Sequence, residues 1–185
     1  MRLIILRHSL ANDPRPGQSD NSRELTTAGQ GRARNLATFL SKSGLQPDTL
    51  YCSTYLRTVQ TAEHISRELC KALTPLDELT PGNDLFESLR AFCTPNKYPA
   101  GHTVLVCGHQ PQMGYLITEL LEDDLQLQIY PATLTCIELQ DWQRRSGYLA
   151  AYFPGWIWDD ALCKRQPPNT AGSDHSTKTA EFSDS

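Results

Sequence analysis

What the sequence lacks narrows its chemistry first. No apolar run is long enough to span a membrane or to form a signal-peptide core, since the N-terminal stretch Leu3-Ile4-Ile5-Leu6 turns polar at Arg7. No block of lysine and arginine is available to track a nucleic-acid backbone, and the net charge is −4. The chain is therefore expected to be cytoplasmic, with neither nucleic acid nor membrane as a partner. Phosphate loops of the Gly-x-x-x-x-Gly-Lys-Ser/Thr and Gly-x-Gly-x-x-Gly types are missing, which disfavours a nucleotide-binding fold. His-x-x-x-His, His-Glu-x-x-His and clustered carboxylates near the histidines are missing too, so neither a metal nor a cofactor is expected. Cys52, Cys70, Cys93, Cys107, Cys136 and Cys163 never pair as Cys-x-x-Cys, and read as reduced, mostly buried thiols.

What is present is an ordinary globular composition, 39% hydrophobic and 21% charged over 185 residues, enough for one domain with one core. Leu3 to Leu6 has the unbroken apolar character of a strand buried on both faces. A polar loop, Asn12 to Arg23, leads to a capping box in which Thr27 is the expected cap and Gln30 reaches back. The helix that follows carries Ala33, Leu36, Ala37 and Leu40 on one face and stops near Gly44. Thr49 to Cys52 reads as a strand, Tyr55 to Leu73 as a helix, and Asp84 to Phe92 as a short helix. Thr103 to Cys107 is β-branched and unbroken, and Pro111 opens a helix striped by Met113, Leu116, Ile117 and Leu120. Leu134 to Leu139 and Tyr148 to Phe153 form a hairpin. The last residues, 166–185, are rich in Pro, Ser, Thr and Asp, and predict a disordered tail behind a domain spanning 1–165.

Strands alternating with helices imply an α/β fold of three layers, α/β/α, around a mainly parallel sheet. Ligands of such sheets bind beyond the carboxyl ends of the strands. Three polar clusters fall at strand ends: Arg7-His8, Ser53 through Arg57, and Gly108-His109. Brought together, two arginines and a cationic histidine around a second, neutral histidine make a phosphoryl-transfer site that needs no metal. His64, His102 and His175, by contrast, read as structural or exposed. Asp159-Asp160 and Asp123-Asp124 read as solvated turns, and Trp142, Trp156 and Trp158 as packing or surface aromatics.

These residues resemble a known family. Arg7-His8-Ser9 is similar to the Arg-His-Gly motif of the histidine phosphatase (phosphoglycerate mutase-like) superfamily. Ser53 through Ala62 resembles its Ser-x-x-x-Arg-x-x-Gln-Thr-Ala element, and Gly108-His109-Gln110-Pro111 its Gly-His-x-Pro element. Arg23 through Gly29 and Glu78-Leu79-Thr80-Pro81 narrow the resemblance to the SixA-type phosphohistidine phosphatases, over about residues 1–155. The resemblance implies a phosphatase with His8 as nucleophile. It implies that Arg7, Arg57 and His109 hold the phosphoryl oxygens, with His109 protonated. Glu78 is the implied proton donor, and Ser9 and Arg23 are candidate substrate contacts. The implied partner is a phosphorylated protein, such as a histidine phosphotransfer domain. Ser53 is expected to cap the helix before Arg57.

One departure stands beside the nucleophile. Ser9 occupies the family's glycine position, where serine adds strain if the backbone needs φ > 0, or merely adds a hydroxyl near the phosphate. Two other readings therefore accompany the phosphohistidine phosphatase: a non-catalytic phospho-ligand binding module on the same scaffold, and a small-molecule phosphomonoesterase. The only insertion near the site, Pro75 to His102, is short and mostly helical, which predicts an open pocket suited to a phosphoryl group carried on a protein.

Overall fold

Strand β1 (Arg2–Arg7) divides its buried side chains between two cores, as an apolar strand without polar alternation must. Leu3 and Ile5 face one core and Ile4 and Leu6 the other. Its neighbour β4 (Thr103–Gly108) does the same, with Val104 and Val106 on one side and Leu105 and Cys107 on the opposite side. The computed structural model describes residues 1–93, 98–122 and 125–159. The expected tail 166–185, the expected domain end at 165, and Asp123, Asp124, Asp160, Cys163 and His175 lie outside them.

Helices α1 (Thr27–Lys42) and α2 (Leu56–Leu69) close one core through Leu36, Leu40, Ala62 and Ile65. Helices α3 (Leu85–Phe92) and α4 (Gln112–Leu120) close the other through Phe86, Leu89, Met113, Leu116 and Ile117. The six-stranded sheet has the order β3-β2-β4-β1-β5-β6, with β2 at Thr49–Ser53, β3 at Leu73–Leu76, β5 at Leu134–Leu139 and β6 at Gly147–Phe153. β3, β2, β4 and β1 run parallel, while β5 and β6 form the antiparallel hairpin at one edge. The three-layer α/β/α architecture is as the element pattern implies, with a mixed sheet whose parallel part carries the site. Among the described residues no helix is long and apolar enough to cross a membrane.

Local details differ from the sequence reading. The cap of α1 is Thr26, whose hydroxyl accepts the Gly29 N–H at 2.9 Å, and not Thr27. Gln30 does not reach back; its side chain meets His64 Nε2 at 2.6 Å. Two threonines in succession make the choice invisible in sequence, and Thr26 wins because its backbone N–H also donates to Leu10. The second helix ends at Leu69, not Leu73, because Cys70 turns left-handed with φ 52°. Leu73 instead opens the short edge strand β3, whose Pro75 is tolerated at a sheet edge. Asp159 is no solvated turn: it forms a two-point ion pair with Arg32, beside a hydrogen bond from Asn35 to Trp158. Trp142 and Trp158 are buried with their indole N–H groups bonded to the carbonyls of Phe86 and Ala132. Cys52, Cys107 and Cys136 are buried thiols, and Cys70 is an exposed one.

Candidate active site

The carboxyl ends of β1, β4 and β2 lie side by side, since Arg7 is in register with Gly108 and Cys52 with Cys107. His8 therefore follows directly beside His109, and its N–H donates to the Gly108 carbonyl at 3.0 Å. The two imidazoles stand 5.3 Å apart, centre to centre, tilted by 60°. Arg57, one residue into α2, reaches back from β2's end and donates from Nε to His8 Nε2 at 3.2 Å. Arg7, His8, Arg57 and His109 are thus brought to one place.

The tautomer of His8 follows from its partners. Nδ1 lies 2.7 Å from the Ser9 carbonyl, which only accepts, so the proton sits on Nδ1. A guanidinium only donates, so the contact from Arg57 requires a lone pair on Nε2. Burial, outweighing the Ser9 carbonyl and aided by the charges of Arg57, Arg7 and Arg23, lowers the His8 pKa to about 4. The result is a neutral imidazole with its unprotonated nitrogen turned toward fixed positive charge.

His109 is 2% exposed, with Nε2 on the Ser53 hydroxyl at 2.8 Å. Burial first, then His8 and Arg57, lower its pKa to about 3. The expected protonated His109 is thus not the ligand-free form. A second proton there would sit in a desolvated, already cationic pocket, and only an anion beside it would reverse the balance. Two buried polar atoms of this cluster, His109 Nδ1 and Arg7 Nε, have no hydrogen-bond partner among the described residues. Such atoms cost of order 1–3 kcal/mol each when left unpaired, and are satisfied by a ligand with several acceptor oxygens.

Ser9 proves to be scaffold. It is fully buried, it is not among the residues with positive φ, and its hydroxyl donates to the Gly29 carbonyl at 2.8 Å. The anticipated strain is absent, and the hydroxyl that could have met phosphate is committed to Gly29. Its N–H donates to Thr61 Oγ1 at 3.0 Å, and Thr61 in turn donates to the Arg57 carbonyl at 2.7 Å, so the loop after His8 and the helix that carries Arg57 are tied directly. Gly29 completes this contact: a Cβ there would land on the Leu10 carbonyl oxygen.

Arg23 sits at the mouth on the loop from Asn12, bonded to the Asn12 carbonyl at 2.9 Å and to Asp20 at 2.8 Å. Glu78 lies on an exposed turn (Asp77–Leu79) after β3, and among the described residues no hydrogen bond or ion pair joins it to the histidines. Ser53 does not cap α2, whose cap position is Tyr55; its hydroxyl accepts the Tyr55 N–H and orients His109. Tyr55 lays its ring against His109 at 5.0 Å and under the Arg57 guanidinium, also at 5.0 Å. Asp20, absent from the sequence reading, bonds Arg57 through both its carbonyl (2.6 Å) and its carboxylate (2.9 Å). Its signal was available as an acidic residue three positions before Arg23, but nothing in that spacing pointed across to α2. Among the described residues no group of three His, Cys, Asp or Glu side chains is placed to hold a metal ion.

A cleft of about 600 Å³ lies between α3 and α4, lined by Phe86, Pro111, Gln112, Tyr115 and Glu119 among others. It is lined by neither His8 nor His109 and begins two residues beyond His109, at Pro111.

Residues 3–81 match the histidine phosphatase superfamily (branch 1). The chain is 28% identical over 143 residues to phosphohistidine phosphatase SixA of Escherichia coli (strain K12), covering 76% of this chain and 87% of that protein. It is 34% identical over 115 residues to an uncharacterized protein of Picosynechococcus, covering 62% of this chain and 69% of that one. The solved structure of the protein histidine phosphatase SixA complexed with tungstate superposes with a TM-score of 0.70 and 27% identity, over 84% of this chain and 98% of that chain.

Proposed function

The chain belongs to the histidine phosphatase superfamily, a family of phosphatases, and from that premise we propose that it dephosphorylates phosphohistidine on a protein by way of a phosphoryl group held transiently on His8. The observation that carries this reading is the His8 tautomer: Nδ1–H on the Ser9 carbonyl, and a lone pair on Nε2 beside Arg57. In the first step Nε2 forms a bond to phosphorus while the bond from phosphorus to the substrate's imidazole breaks. That imidazole, protonated on its second nitrogen, leaves neutral and needs no acid from the chain, so Glu78 has no required part with this substrate. Water then attacks phosphorus, the bond to Nε2 breaks with its electron pair returning to His8, and both protons of the water leave with the product as dihydrogen phosphate.

Arg7 Nε, Arg57 and His109 supply donors to the phosphoryl oxygens as charge redistributes. A bound dianion raises the proton affinity of His109, which then donates from Nδ1 to phosphate and from Nε2 to Ser53. Proton uptake accompanies binding on this account. The protein-borne substrate is favoured by an open mouth among the described residues: between β3 and β4, Leu79, Leu85, Phe86 and Leu89 pack into the core and not over His8. Tyr115, 66% exposed, stands on the flanking cleft where a macromolecule would rest.

Quenched-flow mixing with a labelled phosphoramidate tests the chemistry. An acid-labile label on His8 is expected, absent in His8→Ala; no label in the wild type refutes it and leaves a binding module. Rates on a phosphohistidine-bearing domain are expected to exceed those on small phosphate esters, and the reverse order would make the chain a phosphomonoesterase.

A further inference from the structure

Every nitrogen of Arg57 already has a partner. Nε faces His8 Nε2 at 3.2 Å, one terminal nitrogen donates to the Asp20 carbonyl at 2.6 Å, and the other to the Asp20 carboxylate at 2.9 Å. The resting guanidinium therefore masks the nucleophile with one edge and is itself neutralised along another. The same carboxylate reaches Arg23 through its second oxygen at 2.8 Å, so it spans two cations at the mouth of the site. The pair is lopsided in exposure: the Arg57 side chain is 6% exposed and that of Asp20 is 53% exposed. An anion entering from solvent meets the carboxylate first.

We propose that Asp20 is a specificity-determining residue that acts as a displaceable counter-anion, holding Arg57 in the empty site and surrendering it to the incoming phosphoryl group. This rests on the reading of the cluster as a phosphoryl site, and goes beyond it by assigning a function to a residue on the loop before α1. The charge balance gives the reason. Arg7, Arg23 and Arg57 contribute three positive charges and both histidines are neutral in the empty site, so Asp20 brings the total to +2, the charge a phosphoryl dianion balances. Asp20's own neighbours keep it in this role: hydrogen bonds from Arg23 and Arg57 outweigh the opposing effect of desolvation and hold its carboxyl below the usual range, so it is ionised at neutral pH. Without Asp20, three unopposed cations would hold inorganic phosphate, the product, more tightly than turnover allows. With it, every phosphate that binds must first win Arg57 from a tethered carboxylate. Substrates that bring further contacts, as a protein does, overcome this competition; free phosphate has nothing else to offer.

The sign of the effect separates this role from a merely structural one. Loss of a structural tether would loosen the loop and weaken anion binding, whereas loss of a competing anion strengthens it. Titration calorimetry of the full chain with inorganic phosphate at neutral pH is the test, and it needs no turnover. Asp20→Asn is expected to bind phosphate at least tenfold more tightly than wild type, while Asp20→Glu, which keeps the charge, stays within about threefold of wild type. Steady-state kinetics should show product inhibition by phosphate deepening in Asp20→Asn by the same factor, with KM falling. Equal or weaker phosphate binding by Asp20→Asn, or binding by neither protein, overturns the proposal. Half-exposure on a surface turn makes both variants compatible with folding, and a matching denaturation midpoint checks it. Absence of label on His8 would sink the phosphohistidine intermediate without touching this result, so the two failures are distinguishable.

Discussion

Two neutral imidazoles buried among arginines make the native state sensitive to acid in a range where most proteins are still comfortable. His8 titrates at about 4 in the folded chain, against 6.5 when unconstrained. Because the folded value is the lower one, the unfolded chain takes up a proton that the native state refuses. Stability is therefore intact above about pH 6.5, falls as the pH drops toward 4, and levels off below that. Between pH 7 and pH 5 the loss from His8 alone works out at about 2 kcal/mol. With a urea dependence of about 2 kcal/mol per molar, the denaturation midpoint should shift down by about 1 M over that interval. His8→Asn removes the titrating group. In phosphate-free buffer, its midpoint should move by about 1 M less than that of wild type between the same two pH values. If wild type and His8→Asn lose stability in parallel, the burial argument for a neutral nucleophile is wrong, and with it the tautomer assigned to the site.

Other perturbations probe the scaffold around that nitrogen. Gly29→Ala drives a methyl group into the Leu10 carbonyl, a backbone atom with no freedom to yield, and is expected to cost about 2–3 kcal/mol in a thermal or urea melt. Ser53→Ala leaves His109 Nε2 buried without its partner; a loss of about 1–3 kcal/mol is expected, with kcat falling more than KM rises. Arg57→Lys keeps the charge but cannot serve His8 and Asp20 from one planar group, so kcat should fall by about a hundredfold or more in a steady-state assay.

The parts of this molecule legible in its sequence are those written in contiguous residues. β1 and β4 are unbroken apolar runs ending in Arg7-His8 and Gly108-His109, and a parallel sheet leaves few places for such ends except beside one another. What escaped were choices between near-equal neighbours and contacts across long separations. Thr26 and Thr27 differ as caps only through Leu10, sixteen positions away from Thr26. The boundary at Cys70 depends on a left-handed residue that is not glycine, and the strand after it contains a proline. Asp20 lies 37 positions from Arg57, and Ser53 lies 56 from His109, so neither spacing carries a periodic signature. Ser9 is the clearest case: its effect depended on whether its hydroxyl faced phosphate or Gly29, which only the path of α1 decides.

On the proposed mechanism, the partner of His8 Nδ1 also bears on how long phosphorus remains attached to the ring. A carboxylate in that position would make the imidazole more basic and the phosphorus–nitrogen bond harder to break. The Ser9 carbonyl aligns the ring while adding far less electron density. A histidine held in this way is a relay, not a reservoir: the phosphorylated form should be short-lived, and its lifetime should lengthen in any homologous arrangement that trades the amide oxygen for an acid.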